Sequence, residues 1–255
     1  MRERFHDRRE AGQLLAANLS AYANRGDVLV LGLPRGGVPV AYEVARALSA
    51  PLDVLVVRKL GVPGHDELAM GAIATGGVKV LNDVVVEDFG IPEQIIDAVA
   101  AREQQELERR ERAYRYDRPP VDVRGKTVIL VDDGLATGTT MRAAIAAVRQ
   151  QVPAAVVVAV SVIALESCAV FRAVADALVW VIAPEPFYAV GLCYEDFTPT
   201  TDAEACAVGC PLETLHTPAH GDGETILRIR FMKRRRRRHR YGSHSNTAYR
   251  HTIPR

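Results

Sequence analysis

The residues with the clearest chemical potential form one segment, Val128–Thr140, which reads VILVDDGLATGTT. An apolar run ends in two adjacent carboxylates, Asp132 and Asp133. A loop of small residues follows, Ala136, Thr137, Gly138, Thr139 and Thr140, and opens directly into a helical pattern. Unpaired N–H groups and the positive end of a helix dipole make such a loop an anion cradle. The glycine lets backbone approach the anion, and the threonine hydroxyls add donors. The carboxylates would repel that same anion, so they suit hydroxyl groups or a hydrated cation on another part of the ligand. The implied ligand carries a phosphate at one end and a diol or a metal a few ångströms away. A nucleotide P-loop is excluded, because no GK[ST] follows.

Two further strand-end loops carry anion chemistry. GLPRGGV (Gly32–Val38) places Gly36 and Gly37 where backbone N–H groups can form a nest. Arg35 adds a bidentate fork. VRKLGVPGHDELAMGAI (Val57–Ile73) puts Arg58 and Lys59 at the end of an apolar run, where a basic pair suits a pyrophosphate. The polar, glycine-bearing stretch after them suits a mobile lid. His65, Asp66 and Glu67 are its candidate contacts, His65 also reading as an ordinary exposed histidine.

Position by position, VILVDDGLATGTT resembles the PRPP-binding motif of type I phosphoribosyltransferases. RKLGVPGHDELAMGA is similar to a bacterial and archaeal subgroup of that family, some of whose members are fused to hydrolase domains. The resemblance covers about residues 5–205. It implies that Asp132 and Asp133 hold the ribose hydroxyls and meet Mg2+ indirectly, through PRPP. It implies that residues 136–140 hold the 5′-phosphate and that GLPRGGV is the pyrophosphate loop, with Lys59 the pyrophosphate-side cation under a flexible loop. It also implies an acceptor hood built after the late strands, within WVIAPEPFYAVGLCYEDFTPTTD (Trp180–Asp202). There Phe187, Tyr188 and Tyr194 either stack on an acceptor ring or cover the sheet end, and Glu195 or Asp196 would read ring nitrogens. The subgroup usually has an aromatic where Cys193 stands, a departure from its pattern that leaves the shape of the acceptor pocket open.

The elements that must hold these loops alternate along the chain. Residues 5–24 read as an amphipathic helix, with Leu14, Leu15, Leu19 and Tyr22 at helical spacing. Buried strands are expected at 27–33, 52–57, 126–131, 154–162 and 177–182, and helices at 39–48, 92–114, 139–150 and 167–175. Two short strands or a hairpin flank Gly76 and Gly77. This is an α/β pattern, a doubly wound and mostly parallel sheet of the type I phosphoribosyltransferase kind with a small hood. Ligands of such sheets sit beyond the carboxyl ends of the strands.

At 255 residues and 48% hydrophobic, the chain can bury a large core. No apolar run reaches the roughly 18 residues of a membrane helix. The opening MRERFHDRRE lacks the apolar centre of a secretory signal. The four cysteines form no CxxC pair, which speaks against zinc or disulfide frameworks and for a reducing cytoplasm. The near-neutral net charge hides an asymmetry. Residues 211–255 carry 11 basic and 3 acidic residues, against 21 and 28 in residues 1–210. The division is therefore a phosphoribosyltransferase domain over 1–210 and a basic, disordered C-terminal tail over 211–255. With its run Lys233–Arg240 the tail is either a nucleic-acid or anionic-membrane arm or an extension without a dedicated partner.

Taken together, the expected activity is Mg2+-dependent transfer of a phosphoribosyl group from PRPP to a small nitrogenous acceptor, releasing pyrophosphate. A PRPP-sensing regulatory protein is the alternative, reaching nucleic acid only through the tail. The family's habit also implies a homodimer.

Overall fold

The computed structural model describes residues 4–115 and 119–208. The expected tail over 211–255 lies outside the described residues, as do the side chains of Asp66 and Glu67. The elements in chain order are α1 (Arg8–Asn18), β1 (Val28–Gly32), α2 (Gly37–Leu48), β2 (Leu52–Val54), β3 (Val57–Val62), β4 (His65–Ala74), β5 (Val78–Leu81), α3 (Asp83–Asp88) and α4 (Glu93–Arg115). The second half adds β6 (Thr127–Asp132), α5 (Thr139–Arg149), β7 (Ala155–Val162), α6 (Leu165–Val174), β8 (Ala177–Ile182) and α7 (Asp202–Val208).

Five strands form the main sheet in the order β2-β1-β6-β7-β8, every neighbouring pair parallel. Its strands are apolar without alternation because both faces are covered. On one face Leu29, Leu31, Leu130 and Val158 pack with Met141, Ile145 and Val148 of α5 and Phe171 of α6. On the other, Val28, Val30, Ile129 and Val157 meet Leu15 of α1, Leu19, and Val40, Val44 and Leu48 of α2. The chain runs outward from β1 to β2 on one side and from β6 to β7 on the other. The loops after β1 and β6 therefore diverge and leave a crevice at the carboxyl ends of two adjacent central strands. Both signature segments of the sequence fall on that crevice.

The stretch expected to be one strand over 52–57 followed by a polar lid loop is built differently. The parallel strand stops at Val54 because Val56 changes partners. Its N–H donates to Thr75 Oγ1 at 3.0 Å and its carbonyl accepts from Thr75 N at 2.9 Å. The chain thereby enters a second, antiparallel sheet, β3-β4-β5. Residues 57–73 are thus mostly a hairpin, with Lys59 opposite Ala72 and Arg58 opposite Ile73. Leu60, Met70 and Ile73 close its inner face against Ile96, Leu107 and Tyr114. The helix expected over 5–24 is shorter, because the Asp7 side chain caps it by accepting from Glu10 N at 2.8 Å.

A buried ion pair ties α4 to the β2 edge. Arg115 Nε donates to Asp53 Oδ1 at 3.0 Å, with both side chains almost fully enclosed. Asp53 also accepts from the N–H groups of Val54 and Val121, and Arg115 Nη2 donates to the Val54 carbonyl. No helix among the described residues is long and apolar enough to cross a membrane.

Candidate functional site

The crevice is walled by the loops after β1 and β6. The first leaves β1 at Leu33, whose N–H donates to the Val131 carbonyl at 2.9 Å, and returns into α2 through Gly36 and Gly37. The Pro34–Arg35 peptide is cis, and the Arg35 side chain is exposed. These glycines are required by close approach. A Cβ on Gly36 would lie 2.0 Å from Asp133 Oδ2, and one on Gly37 would lie 2.7 Å from the Val131 carbonyl. The glycine loop and the acid pair are packed against each other.

The second loop is pinned to the end of β7, since Leu135 N donates to the Val162 carbonyl and Ala164 N to the Leu135 carbonyl. Ser167 Oγ holds the Ala136 carbonyl at 2.8 Å. Gly138 caps α5 with φ at 66°, over the Phe171 ring and the Leu135 side chain, where no Cβ fits. Thr139 and Thr140 therefore open the helix with their N–H groups unclaimed by earlier carbonyls of that helix. Ala136, Thr137, Thr139 and Thr140 are exposed at this helix N-terminus.

The two carboxylates are held unequally. Asp132 Oδ1 accepts from the N–H of Asp133 at 2.9 Å. Burial, and next the adjacent Asp133 charge, push the Asp132 carboxyl well above the usual carboxylate range. Asp133 instead receives Arg8 Nε at 2.7 Å on Oδ2. The Tyr194 hydroxyl donates to its backbone carbonyl at 2.6 Å. Arg8 was not singled out by sequence reasoning. It stands 125 residues from its partner, and nothing separates it from the other charges of its amphipathic helix.

The remaining candidates divide. Arg58 is committed to Glu103 of α4, which also pairs with Arg102. Lys59 is exposed on β3. His65 sets its ring against Phe89, 5.6 Å between centroids. Tyr194, expected as a ring platform or a cover, is a buried support. Its ring packs on Phe5 and Phe197 and its hydroxyl is spent on Asp133. The carboxylate of Asp196 accepts from Thr198 N and Oγ1, and Glu195 pairs with His6 at 3.0 Å. Phe187 is partly buried against Phe5 and its neighbours, whereas Tyr188 is 78% exposed. The segment 193–196 is itself stitched to the residues before α1. Phe5 N donates to the Cys193 carbonyl, while Glu195 N and Asp196 N donate to the carbonyls of Phe5 and His6.

The doubly wound sheet thus brings a helix N-terminus, a glycine pair and an acid pair together at the crevice where its strand order diverges. A family model of the phosphoribosyl transferase domain matches residues 3–89 and 64–180. A Mycobacterium tuberculosis protein named as a phosphoribosyl transferase is 47% identical over 203 residues, 80% of this chain and 46% of that protein. The chain thus spans about half the length of that relative. The bifunctional protein PyrR of Chloroflexus aurantiacus is 34% identical over 116 residues, 45% of this chain and 58% of that protein. The crystal structure of TT1426 from Thermus thermophilus matches with a TM-score of 0.73 at 44% identity, over 81% of this chain and 97% of that one. The chain belongs to the phosphoribosyltransferase family.

Proposed function

We propose that the chain transfers the 5-phosphoribosyl group of PRPP to a nitrogenous base and releases pyrophosphate. The observation that supports this reading is the close approach of Gly36 to Asp133, which brings the glycine loop, the acid pair and the loop that opens α5 around one crevice. In the reaction the C1′–O bond to pyrophosphate breaks and a C1′–N bond forms. Pyrophosphate leaves with the bonding pair, and the acceptor nitrogen gives up its proton. The transition state is cationic at the sugar. The protein's part is to hold the leaving group, align the acceptor and keep water out.

Asp132 and Asp133 accept from the ribose hydroxyls. Thr137, Thr139, Thr140 and the backbone from Ala136 to Gly138 take the 5′-phosphate. Arg35 and the Gly36–Gly37 backbone take the pyrophosphate, with Lys59 reaching it from the hairpin. Among the described residues no three His, Cys, Asp or Glu side chains are grouped to hold a metal ion. The adjacent pair fits Mg2+ that arrives on PRPP and keeps most of its oxygen ligands from the substrate and water. When bound, that ion neutralises the departing pyrophosphate. Three buried free thiols, Cys168, Cys193 and Cys206, support a reducing, cytoplasmic setting.

The test is Mg2+-dependent pyrophosphate release from PRPP by the full chain across a panel of purine and pyrimidine bases. Release that depends on one base is the expected result and names the acceptor. PRPP binding without release for any base would favour a regulatory PRPP-binding protein. Lys59, exposed on β3, is the residue to test on the pyrophosphate side. Lys59→Ala is expected to raise the KM for PRPP about tenfold with little change for the acceptor. Equal effects on both substrates would remove Lys59 from the site.

A further inference from the structure

Two adjacent carboxylates in a half-buried crevice, facing a ligand that is itself anionic, are unfavourable unless one charge is compensated. The compensation comes from outside the three signature loops. Arg8 reaches from the first turn of α1 to Asp133, and the two side chains are only 12% and 13% exposed. The same guanidinium donates through Nη1 to the Thr198 carbonyl at 2.8 Å. It lies 4.0 Å from the centre of the Phe197 ring. Its head is thus held by the acid loop on one edge and by the hood on another edge and a face. The bare backbone of Gly36 keeps the space clear, since a Cβ there would meet both Asp133 and Arg8 Nε.

An exposed ion pair of this length would contribute little. This one is largely enclosed, and it uses the planar fork that distinguishes arginine from lysine. It also occupies only one oxygen of Asp133, so the second remains to accept a ribose hydroxyl.

Resting on the transferase reading above, we propose that Arg8 is a positioning residue for ribose. It holds one oxygen of Asp133, leaves the other for the sugar, and ties that carboxylate to the acceptor hood through Thr198 and Phe197. A lysine can replace the charge but cannot bridge Asp133 and Thr198 with a rigid plane. An uncharged glutamine replaces neither.

The experiment is titration calorimetry of the full chain, wild type, R8K and R8Q, with Mg2+–PRPP and with Mg2+–pyrophosphate, alongside thermal unfolding. R8Q is expected to bind PRPP about tenfold more weakly, the loss of one charge-assisted hydrogen bond. R8K is expected to recover part of that loss. Pyrophosphate affinity should stay within about twofold in both variants, which a merely structural role would not allow. PRPP binding unchanged in R8Q, or weakened equally with pyrophosphate binding and not rescued by R8K, overturns the proposal. If R8Q does not fold, R8K decides alone. A selective loss for PRPP supports the proposal, and no loss overturns it. Failure of the wild type to bind PRPP overturns the transferase reading and this inference together, whereas binding by the wild type and equally by R8Q overturns the inference alone.

Discussion

Converting both acids to amides, Asp132→Asn with Asp133→Asn, is expected to lower PRPP turnover by at least about a hundredfold while leaving a folded protein. Each carboxylate is asked to accept from a ribose hydroxyl, and a charge-assisted hydrogen bond contributes about 1.5–3 kcal/mol. Losing two reaches that range without any change of backbone. The folded state should tolerate the change because Asp132 is held at a cost. Its carboxyl is raised by burial first and by Asp133 next. An acid whose folded pKa lies above its unfolded value loses stability as pH rises from the unfolded value through the folded one. As pH rises through that range the buried Asp132 becomes a liability, and Asp132→Asn alone should raise the unfolding midpoint or leave it unchanged. Asp133→Asn works the other way, since it leaves Arg8 without its carboxylate. Circular dichroism, thermal unfolding and a pyrophosphate-release assay on the two single variants and the double one check this. Turnover preserved in the double variant would remove the acid pair from the chemistry.

The largest stability effect is expected away from the crevice, at Asp53→Leu. That carboxylate accepts from Arg115 Nε and from the backbone N–H groups of Val54 and Val121. Its removal takes the most enclosed carboxylate from a buried guanidinium that Glu111 still meets at 3.2 Å, and breaking a buried pair from one side costs about 3–5 kcal/mol. For a domain of this size the unfolding midpoint should fall by roughly 10 °C. The double change Asp53→Leu with Arg115→Met should recover much of the loss, because the buried guanidinium is then removed together with its most enclosed partner. Thermal and chemical unfolding of the wild type and these two variants measure it. A single variant as stable as the wild type would show that the pair contributes nothing.

What the sequence made legible was local. The alternation of apolar runs with helical patterns led to the doubly wound sheet, and DDGLATGTT located the strand-end loop, because both are read from consecutive residues. The hairpin was harder. Val56 leaves the parallel sheet by bonding to Thr75, nineteen residues on, and the half-buried, charge-bearing β3 lacks the continuous apolar signal of a central strand. The hood was least legible. Tyr194 has the composition of a stacking platform, yet its hydroxyl is needed beneath Asp133, 61 residues away. Arg8 is one arginine among several near it, and only the folded chain singles it out. Side chains that serve a site through distant partners carry no spacing signature.

The stitching of Phe5 and His6 to residues 193–196 also has a consequence for the order in which the molecule is made. The contact of Arg8 with Thr198 spans 190 residues, so the arrangement around Asp133 is among the last to close. A nascent chain can pair β1 with β6 once residue 132 has emerged, but it gains the hood only when residue 198 follows. The entropic cost of closing a loop grows only slowly with its length, yet contacts this distant in the chain delay the moment at which the fold is complete. During synthesis the crevice would exist before residues 193–198 close against Phe5, His6 and Arg8.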